Sequence, residues 1–71
     1  MSQVPDHHAS FAANLQRLRI QQSLTQKNLA DAAYMAQQRV SEFERLKADP
    51  KLSQLRDLAQ ALGVEVVRLL E

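Results

Sequence analysis

The sequence predicts an all-α domain built from five short helices. Its 71 residues hold one glycine and two prolines beside plentiful Ala, Leu, Gln and Arg. Those residues favour helix and leave few breaks of the kind that strands and tight hairpins need. Apolar side chains also recur at three- and four-residue spacing in several separate runs. A chain of this length sits near the lower limit at which one hydrophobic core holds a fold. With no cysteine, neither a disulfide nor a thiolate metal site adds stability. Packing must do so, helped by a second subunit.

Residues 1–9, MSQVPDHHA, have no apolar period and contain Pro5, which predicts a flexible arm ahead of a domain over 10–71. Ser10 is a candidate N-cap for the first helix, with Phe11, Leu15 and Leu18 on one face. Ser23-Leu24 breaks that pattern. Thr25 then caps a second helix, whose Leu29, Ala30 and Ala33 make a narrow stripe of small residues that lets another helix approach. After Tyr34-Met35 a third helix starts near Ala36, with Val40 and Phe43 as its buried side. The stretch LKADP is a loop, and Asp49-Pro50 suits a helix start because proline is tolerated in a first turn. Leu55, Leu58, Ala59 and Leu62 give the clearest amphipathic period, and Gly63 stands where a left-handed cap is expected. The closing VEVVRLLE forms a fifth helix with more apolar surface than one face can bury. There are no repeats or low-complexity tracts.

The formal charge of +1 does not announce a polyanion partner, but its distribution is uneven. Between Ala36 and Arg56 stand Arg39, Arg45, Lys47, Lys51 and Arg56 against Glu42, Glu44 and Asp49. From Asp57 onward Asp57, Glu65 and Glu71 meet only Arg68. Five short helices with a tight break between the second and third describe a helix-turn-helix. The DNA major groove admits one helix, while the helix before it crosses the backbone. On that plan the exposed start of the third helix, Gln37, Gln38, Ser41 and Glu42, faces base edges. A glutamine amide matches the N6 and N7 pair of adenine, a contact worth roughly 1–3 kcal/mol of discrimination.

From about Leu15 to Leu70 the chain resembles the Cro and phage-repressor type of helix-turn-helix, the XRE family, in the pieces LTQKNLA, RVSEFE and LRDLAQALGV and their spacing. That covers roughly four-fifths of the chain. The resemblance implies a lambda-repressor-like fold. It also implies that Gln26 bonds a phosphate, that Gln37, Gln38 and Glu42 read bases, and that Arg19 and Glu44 form an internal structural ion pair. Departures stand beside it. Tyr34 fills a turn position that is usually glycine, Ala36 a cap position that is usually Ser or Thr, and Glu44-Arg45-Leu46-Lys47 replaces the usual Glu-X-Gly-Lys.

The plainer readings stay open. Gln37 and Gln38 also suit a solvated helix start. Glu42 can pair with Arg39 or Arg45 on its own helix. Arg45, Lys47 and Lys51 are candidates for phosphate contact or ordinary surface charge, and Arg39 for a phosphate, a guanine or plain solvation. Tyr34 is expected to pack over the turn, with a phosphate contact through its hydroxyl as the alternative. Adjacent His7-His8 do not converge on one metal ion, so neither a metal nor any other cofactor is expected. Ser41 has no histidine partner, and no paired carboxylates or phosphate loop appear, so no enzyme is expected. No apolar run reaches the length of a membrane span and no secretory leader opens the chain, which predicts a cytoplasmic, nucleoid-associated protein. The resemblance implies a sequence-specific transcriptional regulator, a repressor, that binds double-stranded DNA at a pseudo-palindromic operator. It is expected to do so as a weak homodimer through Val64, Val66, Val67 and Leu70. The alternatives are an antitoxin that binds a toxin and represses its own operon, and a helical protein-interaction module without DNA binding.

Overall fold

The first helix starts earlier than Ser10. In the computed structural model, which describes the backbone of residues 7–71 and the side chains of residues 10–71, α1 runs His7–Gln21. Ser10 therefore lies inside the helix and is not its cap. Nothing between Pro5 and Phe11 breaks a helix, and alanine is the strongest helix former. Residues 1–6 of the expected arm, and the side chains of His7 and His8, lie outside the described residues. The other helices are α2 (Gln26–Ala32), α3 (Gln37–Glu44), α4 (Leu52–Leu62) and α5 (Val66–Leu70).

The periodic apolar residues meet in one core. Phe11, Leu15 and Leu18 of α1, Leu29 and Ala30 of α2 with the adjoining Ala33, and Val40 and Phe43 of α3 are buried together with Leu55, Leu58, Ala59 and Leu62 of α4 and Leu69 of α5. Phe11 and Phe43 meet edge to face at 5.5 Å between ring centroids, a favoured aromatic geometry. Two amides tie α1 and the residue after it to the last two helices: Asn14 Nδ2 donates to the Leu69 carbonyl at 3.1 Å, and Gln22 Nε2 to the Leu62 carbonyl at 2.6 Å.

Four helix ends share one geometry. Ser23 (φ 59°), Tyr34 (φ 60°), Leu46 (φ 62°) and Gly63 (φ 70°) each sit in the left-handed region just beyond a helix. In each case the next amide reaches back five residues: Leu24 to Arg19, Met35 to Ala30, Lys47 to Glu42 and Val64 to Ala59, at 2.8–3.0 Å. This is the Schellman closure, which usually recruits glycine for the left-handed residue and an apolar residue after it. Glycine appears once among the four. The apolar partner appears three times, as Leu24, Met35 and Val64 pack on the core, while Lys47 points to solvent.

Two further features differ from the sequence reading. Pro50 is not in the first turn of α4, because Gln54 Oε1 accepts from the Lys51 amide at 2.8 Å and sets the helix start at Leu52. The fifth helix spends most of its apolar surface on its own domain. Leu69 is buried, Val64, Val66 and Leu70 are half-buried against the core, and Val67 is 54% exposed.

Candidate nucleic-acid interface

α3 divides its residues between two environments. Val40 and Phe43 are fully buried, Gln37, Gln38 and Arg39 are exposed, and Ser41 and Glu42 are half-buried. The buried pair fixes the helix against the core, and the polar residues then fall on the outward side by the 3.6-residue period. Before the helix, Ala36 is extended and makes no side-chain cap bond, and no acid stands in the first turn. The opening amides of α3 therefore lack the side-chain acceptor that most helices supply there.

The outward residues are not equally free. Gln37 makes no side-chain hydrogen bond among the described residues. Gln38 Nε2 donates to Glu42 Oε2 at a long 3.5 Å, and Arg39 Nη1 donates to Glu42 Oε1 at 3.1 Å. Glu42 thus faces two donors of its own helix and offsets the charge of Arg39. Ala36, Gln38, Arg39 and Glu42 together line a shallow, open depression of about 260 Å³.

A buried ion pair sets the angle at which this face is presented. Arg19 Nε and Nη2 donate to the two oxygens of Glu44 at 2.7 and 3.1 Å, and Arg19 Nη1 donates to the Leu24 carbonyl at 2.8 Å. The Glu44 side chain is 3% exposed. A bidentate fork of this kind fixes direction as well as distance. It joins the end of α1, the turn after it and the end of α3. Gln26 joins the same cluster, since its Nε2 donates to Glu44 Oε1 at 3.1 Å. That bond leaves the Gln26 carbonyl and its second amide hydrogen without a partner among the described residues. Beside it Thr25 and Asn28 close a reciprocal cap at the start of α2, at 2.9 and 3.2 Å.

After α3 the surface is cationic. Arg45, Lys47 and Lys51 are exposed, and their side chains make no ion pair among the described residues. Elsewhere Lys27 is paired with Asp31 at 3.2 Å and Arg68 with Glu71 at 3.3 Å. An outward polar helix, a preceding helix locked to it by Glu44, and unpaired cations beside its end are the parts of a helix-turn-helix.

Comparison with known proteins agrees. The helix-turn-helix family model matches residues 15–69. The chain belongs to the Cro/repressor-type (XRE) helix-turn-helix family. It is similar to an uncharacterized HTH-type transcriptional regulator, y4dJ, of Sinorhizobium fredii, with 40% identity over 64 residues covering 90% of this chain and 83% of the relative. Among solved structures it is similar to the hypothetical transcription factor NHTF from Neisseria, with 30% identity, a TM-score of 0.88, and coverage of 100% of this chain and 85% of the other. It is also similar to the restriction-modification controller protein C.AhdI from Aeromonas hydrophila, with 29% identity, a TM-score of 0.85, and coverage of 87% and 94%. The protein is a non-enzymatic, DNA-binding transcriptional regulator of all-α fold. No helix among the described residues is long and apolar enough to cross a membrane.

Within this helix-turn-helix one residue departs from expectation. Tyr34 does not pack over the turn; it is 91% exposed. The left-handed backbone points its side chain away from the core, while Met35 takes the inward place. The absence of glycine at this turn was the available sign of an unusual residue. It did not tell which way the ring points.

Proposed function

We propose that the protein is a sequence-specific repressor that binds a pseudo-palindromic operator as a homodimer, with α3 in the major groove. The observation that carries the reading is the outward pair Gln37 and Gln38 at the open end of a helix fixed from behind by Phe43 and Glu44. Two adjacent amides at the mouth of such a helix suit adenine edges. Gln37 is the freer of the two. Glu42 acts on bases through Gln38 or directly, and Ser41 completes the face. Gln26, Arg39, Arg45, Lys47 and Lys51 supply phosphate contacts, with Arg39 reaching DNA by leaving or sharing Glu42.

The dimer contact lies on α5 and the turn before it, where Val67 is exposed beside the half-buried Val64, Val66 and Leu70. So small a patch supports a weak dimer that DNA completes, with half-sites about one helical turn apart. Selection of bound sequences from a random DNA pool tests the whole reading. The expected result is an enriched two-fold site with adenine-containing half-sites. No enriched site, together with no binding at low salt, overturns it. Within the selected site, Gln37→Ala and Gln38→Ala are expected to relax preference at particular base pairs. Lys47→Ala is expected to weaken all sequences alike and to lower the salt slope by about one.

A further inference from the structure

Tyr34 combines two features, and intramolecular packing accounts only for the first, through the docking of Met35. It holds a left-handed backbone that aromatic residues rarely adopt, and its ring is 91% exposed. Of the four Schellman closures it carries the largest side chain, and that side chain touches the solvent almost everywhere. The position fixes where the ring emerges: three residues before Gln37, hence within about 11 Å of it along the chain, and beside the uncapped start of α3. The acid one turn back, Asp31, is engaged by Lys27, so the surroundings do not simply repel an anion.

We propose that Tyr34 is a DNA-contact residue, whose ring packs on deoxyribose and whose hydroxyl donates to a phosphate oxygen next to the base pairs read from α3. An aromatic ring with a polar tip serves that boundary, where apolar sugar meets charged phosphate. The contact adds a directional anchor at the start of α3 to the cationic contacts after its end. The inference rests on α3 being the reading helix.

The chain contains one tyrosine and no tryptophan, so tyrosine emission reports this side chain alone. Titration of the wild-type protein with its selected operator is expected to change that emission. In fluorescence anisotropy with a labelled operator, Tyr34→Gly is expected to bind roughly tenfold more weakly, although its melting temperature does not fall. Opposite directions in affinity and stability separate a contact from a structural role. Tyr34→Phe keeps the ring and is expected to fall between the two. Wild-type affinity for Tyr34→Phe removes the hydroxyl–phosphate bond from the proposal, and wild-type affinity for Tyr34→Gly overturns it. Gln37→Ala is measured alongside. If it loses specificity while Tyr34→Gly does not change affinity, only the role of Tyr34 fails; if neither changes, the assignment of α3 fails.

Discussion

α3 and α4 lie next to each other in the chain and are built by different rules. α4 is locally consistent. Gln54 accepts from the amide of Lys51 just ahead of the helix, four apolar residues share one buried face, and Gly63 ends it in the conformation glycine holds without strain. α3 is the reverse. Neither helix has a bond from its N-cap side chain, but α3 also lacks a returning acceptor like Gln54, only Val40 and Phe43 are buried, and the left-handed residues before and after it are tyrosine and leucine. What holds α3 is tertiary: Phe43 against Phe11, and Glu44 against Arg19 and Gln26. The contrast teaches that α4 is specified by its own period and its glycine stop, whereas α3 is placed by other helices and leaves polar groups open. Those open groups sit at the start of α3, beside the two glutamines.

The strongest way to break the contrast is Glu44→Ala. It strands Arg19, which is 13% exposed at its side chain, and frees Gln26. A loss of about 3 kcal/mol is expected in urea denaturation, and operator affinity should fall with it as α3 loses its fixed angle. A matched change in α4 is smaller. Gly63→Ala meets no atom within 4 Å, so its expected loss of about 1 kcal/mol comes from the positive φ alone. A Gly63→Ala protein as stable as wild type would show that the left-handed position carries little strain.

Repairs to α3 sharpen the same comparison. Ala36→Ser supplies the missing cap and should raise stability by about 0.5–1 kcal/mol in chemical denaturation. A larger gain would mean that the open helix start is a greater burden than its geometry indicates. Tyr34→Gly has the smallest expected effect, a gain of about 0.5 kcal/mol, because relief of backbone strain is partly offset by the flexibility of glycine in the unfolded chain. A clear loss instead would show that the tyrosine ring makes a stabilising contact.

Much of this architecture was legible residue by residue. Thr25 announced the start of α2 by its position before Leu29 and Ala30, and the cap with Asn28 is present. Leu55, Leu58, Ala59 and Leu62 announced the buried face of α4, and all four are buried. Other features were not legible. Ser10 has the chemistry of a cap but lies within α1, because a capping residue marks a possible start and its neighbours decide whether the helix runs through it. At the candidate interface the exposed glutamine pair and its helix were legible from type and spacing. The bond from Gln38 to Glu42, the tie of Gln26 to Glu44 and the outward ring of Tyr34 were not.

By itself the sequence determined the helical class, the apolar faces that make the core, and the order of elements that belongs to a helix-turn-helix. These follow from period and local chemistry, which neighbouring residues carry among themselves. Only the tertiary structure decided the closures at Ser23, Tyr34 and Leu46, none of which has a glycine to signal it. At Ser23 and Tyr34 the turn completes when the following residue, Leu24 or Met35, docks on a core assembled from distant helices. The same dependence placed Val64, Val66 and Leu70 against their own domain and left Val67 outside. A residue's side of the boundary between core and partner is set by what the rest of the chain leaves uncovered.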